Sequence, residues 1–246
     1  MKEKKLNILI TGGAQGLGKL ISQNFSQKGH HVIIFDIIKY NNIENSYKRL
    51  IYDYINMDLS DVENLKKNLN YLINKYNKID VLINNASLRI FKNFEIFTFQ
   101  EINKALRVNL EAPLILINSI IPIMKQNNFG RIINISSRSG FWGFSTGSIY
   151  CSTKSALIKF TESVGKELER ENADVTINVI CPGSFSYKNG TKLKNYNTIT
   201  KKVINIIGDL ISSKDNAEVI PVLTKKDKVV EILYSIKQYC MWFFKY

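Results

Sequence analysis

Short apolar runs alternate with longer stretches of helical period from the N-terminus to about residue 180. Leu6–Thr11, Val32–Phe35, Tyr54–Met57, Asp80–Asn84, Arg131–Ser136 and Val175–Ile180 have the length of strands, and most run into glycine or polar residues. Between them Leu17–Lys28, Val62–Asn77, Phe99–Asn127 and Tyr150–Glu171 place apolar residues at helical spacing, with Pro113 and Pro122 marking the third. Strands without polar alternation are buried on both faces. They belong to a parallel sheet covered by helices on each side and joined by right-handed crossovers. The pattern therefore predicts an α/β fold, a doubly wound parallel β-sheet with helices on both faces. The 246 residues fit one domain spanning 1–246.

Beyond Gly183 the pattern changes. A polar segment with a helix over Thr198–Ile211 is expected within 184–220, then a further helix over Thr224–Tyr239. The usual last strand is missing from the pattern, and the chain ends in an aromatic stretch, CMWFFKY, read as a shortened final strand or packed edge, with an oligomer contact or a membrane-surface anchor as the alternatives.

Composition narrows the class. Lys and Arg total 34 against 21 Asp and Glu, a net charge of +13, which raises the question of an anionic partner. Only six of the basic residues are Arg, and the 28 Lys are scattered among 36 Ile and 27 Asn, so the excess reads as a sequence-wide bias. Nucleic-acid readers cluster their basic residues and favour the arginine fork, so no nucleic-acid partner is expected. Three cysteines, Cys151, Cys181 and Cys240, show no C-x-x-C and no histidine at ligand spacing, so the reading is a reduced, cytoplasmic chain with no metal site. The longest apolar stretch, Leu114–Met124, falls short of the roughly 20 residues of a spanning helix, so no membrane partner is expected.

Candidate chemistry gathers where strands end. After the first strand TGGAQGLG opens a helix; Gly12, Gly16 and Gly18 permit a tight turn and close approach, and free N–H groups at the helix start suit a pyrophosphate. Asp36 closes the second strand about twenty residues on, where an acid takes the ribose hydroxyls of a dinucleotide and repels a 2′-phosphate. Asp58 closes the next strand, either facing the adenine side or capping the following helix. Asn84–Ser87 puts a polar cluster at the fourth strand's end. Asn109 falls on an apolar side of a helix and so requires a polar partner. Tyr150 and Lys154 are four apart, so on a helix they share a face, where an ammonium biases a phenol toward ionisation. Ser137 follows the fifth strand and can reach the same substrate oxygen.

Together these residues resemble the short-chain dehydrogenase/reductase family over residues 6 to 183. Thr11, Gly12, Gly16 and Gly18 match its glycine motif, Asp58, Asn84, Asn85 and Ala86 its next signatures, Asn109, Ser137, Tyr150 and Lys154 its catalytic tetrad, and Pro182 and Gly183 the motif after the sixth strand. The resemblance implies a Rossmann-type, nicotinamide-dependent oxidoreductase acting on a small alcohol or carbonyl substrate. Tyr150 is then the general acid/base, Ser137 holds the substrate oxygen, Lys154 lowers the Tyr150 pKa and binds the nicotinamide ribose, and Asn109 positions a water. The cofactor set becomes Thr11, Gly12, Gly16, Leu17, Gly18, Asp36, Asp58, Leu59, Asn85, Ala86, Tyr150, Lys154, Pro182 and Gly183. NAD(H) is preferred over NADP(H), since Gln15 and Ile37 are neutral where phosphate-binding relatives carry a basic residue. Residues 184–220 hold the position of the family's substrate lid, and the family's habit implies a homodimer or homotetramer.

Departures fall on the substrate side: Ser87 replaces a glycine, Tyr187 a common threonine, and 221–246 form an atypical shortened C-terminus. Besides Ser137 and Tyr150, Trp142 with Phe141 and Phe144 is expected to form an apolar wall, while Arg89 and Arg138 at the rim point to an anionic substrate. Alternative functions are 3-oxoacyl-(acyl-carrier-protein) reductase-like activity and a non-catalytic dinucleotide-binding regulator.

Overall fold

The computed structural model of the protein describes residues 4–183, 187–188, 191–192 and 196–223. In chain order the elements are β1 (Asn7–Thr11), α1 (Gly16–Gln27), β2 (His31–Asp36), α2 (Asn45–Lys48), β3 (Asp53–Asn56), α3 (Val62–Tyr76), β4 (Val81–Asn84), α4 (Phe99–Leu106), a π-helical turn (Arg107–Glu111), α5 (Ala112–Gln126), β5 (Gly130–Ile135), α6 (Ser148–Leu168), β6 (Val175–Pro182), β7 (Tyr187–Lys188), β8 (Thr191–Lys192), α7 (Tyr196–Ser212) and β9 (Val219–Val222). Seven strands form one sheet in the order β3-β2-β1-β4-β5-β6-β9. All of its pairings are parallel.

Successive strand residues point to opposite layers, and the core divides accordingly. Ile8, Ile10, Val32, Ile34, Val81 and Ile83 pack against Leu17, Ile21 and Phe25 of α1, Tyr47 of α2 and Ile199, Val203, Ile207 and Leu210 of α7. Leu9, Ile33, Phe35, Leu82 and Ile132 pack on the other side against α3, α5 and the end of α6. This is the doubly wound architecture the pattern predicts. Its strand order reverses between β1 and β4, which opens a crevice at the carboxyl ends of those strands, where sheets of this kind take ligands.

Local signals set the element ends. Asp61 caps α3 by accepting from the Asn64 N–H at 3.1 Å, and Asn77, at φ 52°, ends it in the left-handed conformation. Thr98 and Glu101 form a capping box at the start of α4.

Three expectations are corrected. The helix expected as one over Phe99–Asn127 is interrupted by the π turn, which rotates the residues after it relative to those before. The helix within the expected lid segment is α7, a core helix: Ile199, Val203, Ile207 and Leu210 form its apolar stripe, and all four are buried in the sheet layer. A final strand is present after all. β9 pairs with β6 from Val179↔Val219 to Pro182↔Val222; it is short and carries Pro221, which fits an edge strand and blurred its signal. The expected helix over Thr224–Tyr239, Cys240 and the aromatic end lie outside the described residues, as do 184–186, 189–190 and 193–195 of the segment after Gly183.

Candidate active site

The glycine turn is built to bring α1 against the β4 loop. Asn85 donates from Nδ2 to the carbonyls of Thr11 and Gly12, each at 3.0 Å, and the Thr11 hydroxyl accepts from the N–H groups of Asn85 and Ala86, each at 3.1 Å. A Cβ on Gly18 would stand 2.0 Å from the Gly12 carbonyl oxygen and 2.6 Å from Asn85 Nδ2. Gly18 is therefore required for packing. Gly16 is required for another reason: its φ is +57° and no described residue lies within 4 Å of where its Cβ would be. Here the first turn of α1 faces open space. Gln15 makes no side-chain cap there, and the first turn carries no acid. Uncapped N–H groups, the positive end of the helix dipole and an open glycine fit a dinucleotide pyrophosphate.

Asp36 is buried at the end of β2. Its Oδ2 accepts from the Ala14 N–H at 2.8 Å and its Oδ1 from the Ile38 N–H at 2.9 Å. Each oxygen keeps a further lone pair for a ribose hydroxyl. Tyr47, which the sequence reading missed, donates its hydroxyl to the Gly13 carbonyl at 2.6 Å, so Asp36 and Tyr47 hold the turn between them. Asp58 does not cap α3. It accepts from the N–H and hydroxyl of Ser60 and pairs with Lys104 at 2.8 Å. Those contacts hold its carboxyl below the usual range despite burial, which acts the other way. Leu59 beside it is buried.

At the ends of β4 and β5 the tetrad residues converge. Ser137 caps a single 3-10 turn, Arg138–Gly140, with its Oγ accepting from the Ser139 N–H at 3.1 Å. That turn is fastened to α6: the Ser136 hydroxyl donates to the Lys154 carbonyl at 2.9 Å and the Ser155 hydroxyl to the Gly140 carbonyl at 2.7 Å. Ser137 thereby sits over the first turn of α6, where Tyr150 lies. Lys154 is buried; its Nζ donates to the Ile135 carbonyl at 2.9 Å and stands 5.8 Å from the centre of the Tyr150 ring. Burial, helped by Arg89, pushes the Lys154 ammonium down to about 8.

Burial pushes the Tyr150 phenol up from its ordinary value, and the largest opposing effects are a hydrogen bond from Ser137 and the charge of Arg89. The expectation of a phenol depressed by Lys154 is not met in the free chain. The ammonium is turned toward Ile135, and the phenol, which is mostly buried, stays protonated.

Asn109 has the polar partners its position demands. Its Oδ1 accepts from the Leu88 N–H at 2.7 Å and from the Ser87 hydroxyl at 3.3 Å; its Nδ2 donates to the Leu88 carbonyl at 2.9 Å and the Thr153 hydroxyl at 3.3 Å. It pins the segment after β4 to α6. Phe91, also missed by the sequence reading, meets Tyr150 edge-on at 5.5 Å and Phe144 at 5.6 Å. The Lys92 N–H donates to the Thr146 carbonyl at 3.0 Å, joining the two loops that carry these rings. Trp142 lies against Phe141, with ring centres 6.0 Å apart, on the same loop as half-buried Arg138, and Arg89 is exposed at the end of the pinned segment. Pro182 and Gly183 close β6, where the Gly183 N–H donates to the Val222 carbonyl at 2.8 Å. Two surface hollows, one between α3 and α5 and one beside the start of β6, lie away from these groups.

Known proteins resemble the chain in sequence and in fold. The family model for short chain dehydrogenases matches residues 6–197. An oxidoreductase of Bacillus subtilis, YxjF, is 33% identical over 185 residues, covering 73% of this chain and 71% of the relative. The 3-oxoacyl-[acyl-carrier-protein] reductase FabG of Buchnera aphidicola is 32% identical over 199 residues, 79% of each chain. A 4-hydroxyisoleucine dehydrogenase, solved in complex with NADH and succinate, superposes with a TM-score of 0.74 at 25% identity, covering 87% of this chain and 96% of that one. With the doubly wound sheet, the open glycine turn and the converging Ser137, Tyr150 and Lys154, the chain belongs to the short-chain dehydrogenase/reductase family of NAD(P)-dependent oxidoreductases.

Proposed function

We propose that the protein is a carbonyl reductase and alcohol dehydrogenase in which Tyr150 moves the proton. The observation that carries this reading is the meeting of the Tyr150 phenol, Ser137 and Lys154 at the carboxyl edge of the sheet, the edge from which the open first turn of α1 also starts. When bound, the nicotinamide supplies or accepts the hydride. Ser137 holds the substrate oxygen, and Tyr150, protonated in the free chain, donates to that oxygen as a carbonyl is reduced. Lys154 binds the nicotinamide ribose, and Asn109 acts by fixing the segment that lines the site rather than by touching substrate. Gly12, Gly16 and Leu17 line the pyrophosphate while Thr11 and Gly18 fix the shape of the turn that holds it, Asp58, Leu59, Asn85 and Ala86 form the adenine side and the strand floor, and Pro182 and Gly183 hold the carboxamide.

NAD(H) is the preferred cofactor in this reading. Asp36 has acceptor capacity for ribose hydroxyls, and Gln15 and Ile37 bring no charge to a 2′-phosphate. Likeness to FabG and the net charge of +13 support a second reading, reduction of an acyl group on an acidic carrier protein. A single domain and a cytoplasmic location complete the proposal, the latter supported by the free thiols of Cys151 and Cys181.

Steady-state turnover of a carbonyl panel, including a carrier-bound 3-oxoacyl group, with NADH and with NADPH tests it. Tyr150→Phe keeps the ring and loses the oxygen, so turnover falls at least about 10²-fold while NADH affinity survives. Near-normal turnover in Tyr150→Phe overturns the proton role. Tight NADH binding with no turnover on any carbonyl makes the protein a regulator instead, and equal efficiency with NADPH removes the NAD preference.

A further inference from the structure

Arg89 lies at the mouth of the cleft on a backbone that cannot shift freely, because Asn109 grips both the N–H and the carbonyl of Leu88 just before it. It is exposed, and no carboxylate among the described residues pairs with it. Its charge reaches the reacting centre, since it pulls down both the Tyr150 phenol and the Lys154 ammonium. Two residues on, Phe91 covers the Tyr150 ring edge-on and continues to Phe144. The mouth therefore offers one planar cation beside an aromatic wall. A guanidinium matches a carboxylate by two parallel hydrogen bonds, whereas a phosphate monoester carries more charge than one arginine neutralises.

We propose that Arg89 anchors the substrate and that the substrate is an oxo acid or hydroxy acid whose carboxylate lies within a few bonds of the reacting carbon. This rests on the carbonyl-reduction reading. In that direction the carbonyl π bond breaks, the carbon gains a hydride from the reduced nicotinamide and the oxygen gains the Tyr150 proton, leaving a hydroxy acid and oxidised cofactor.

Calorimetry on the protein with saturating NADH tests this, using oxo acids of four to six carbons, their methyl esters and a phosphorylated analogue, with turnover followed in parallel. Each acid should bind about 10- to 100-fold tighter than its ester, as a charge-assisted pair does. The acid-to-ester ratio should fall to near one in Arg89→Gln and recover in part in Arg89→Lys, which keeps the charge without the fork. Equal binding of acid and ester, failure of both to bind, a preference that persists in Arg89→Gln, or tighter binding of the phosphorylated analogue would each overturn the assignment. Acids that bind with the expected ratio but are never reduced count against the reductase reading and leave the anchor standing. Neutral ketones reduced in a Tyr150-dependent way without acid preference do the reverse.

Discussion

Lys154 is buried with no carboxylate paired to it among the described residues, and its Nζ donates to the Ile135 carbonyl. A lysine held down to about 8 binds fewer protons in the folded chain than in the unfolded one, where its pKa is about 10.4. Stability therefore rises with pH between about 8 and 10.4, and below 8 the whole burial penalty is present. Lys154→Met removes that penalty. At pH 7 the variant, free of cofactor, should be more stable than the parent by up to about 3 kcal/mol, less whatever the Ile135 carbonyl loses, and the gap should narrow toward pH 10. Urea midpoints of both proteins at pH 7 and 9.5 measure it; a gap independent of pH defeats the account. A site that destabilises its own fold this way indicates that the ammonium is kept for binding rather than for structure. Tyr150 and Lys154 were legible in the sequence because a helix fixes residues four apart on one face. The roles of Tyr47 and Phe91 were not, and for Asn109 the need of a polar partner was legible but its identity was not, because each depends on a residue far along the chain: Gly13, Tyr150 and Leu88.

Among the elements, α1 separates two uses of glycine that a motif merges. Adding a Cβ at Gly18 drives it into the Gly12 carbonyl and Asn85, so the helix must lift off the β4 loop. Gly18→Ala should lower stability by roughly 1–3 kcal/mol, the usual toll of overpacking. Gly16→Ala meets no atoms and strains only its positive φ, a loss of about 1 kcal/mol. Its methyl group, however, points into the space assigned to the pyrophosphate, so NADH affinity should drop sharply with little change in melting temperature. Thermal melts with and without NADH separate the two. If Gly16→Ala binds NADH normally, the open turn is not the phosphate site. Apart from α2, whose four residues are too few to show a period, the strands and helices of the first 180 residues could be read from periodicity, since both faces of the sheet are buried. The π turn could not, because widening one turn leaves the apolar spacing almost unchanged. β9 escaped for a different reason, its four residues carrying an edge-strand proline and being only partly buried.

For the molecule as a whole, the helical run Phe99–Gln126 presents a face that the described residues leave uncovered. It is 28 residues long, its most apolar 18-residue window has a mean hydropathy of 1.4, and well under half of that window is buried. Its inner side packs in the core through Ala112, Leu116, Ile117, Ile120 and Met124, which accounts for the hydropathy without a membrane. Leu106, Leu110 and Leu114 remain at four-residue spacing, partly or largely exposed and outside the core clusters. Members of this family typically oligomerise, and a stripe on one long helix suits a two-fold contact in which the same patch meets itself. Burying the three leucines on each side would contribute about 1.5–3 kcal/mol per side chain before the entropy of association is met. We predict a dimer through this helix, extended along α6 by the half-buried Phe160 and Val164. Leu110→Asp puts a carboxylate at the centre of the stripe on both copies; desolvating it unpaired should weaken association by about 10²-fold or more, with some loss of melting temperature because Leu110 is half-buried in the single chain. Light scattering over a micromolar concentration series, with melting temperature as a control for folding, decides the matter. A monomeric parent protein, or a Leu110→Asp variant that stays dimeric, places the contact elsewhere, and the uncovered leucines would then need a different partner.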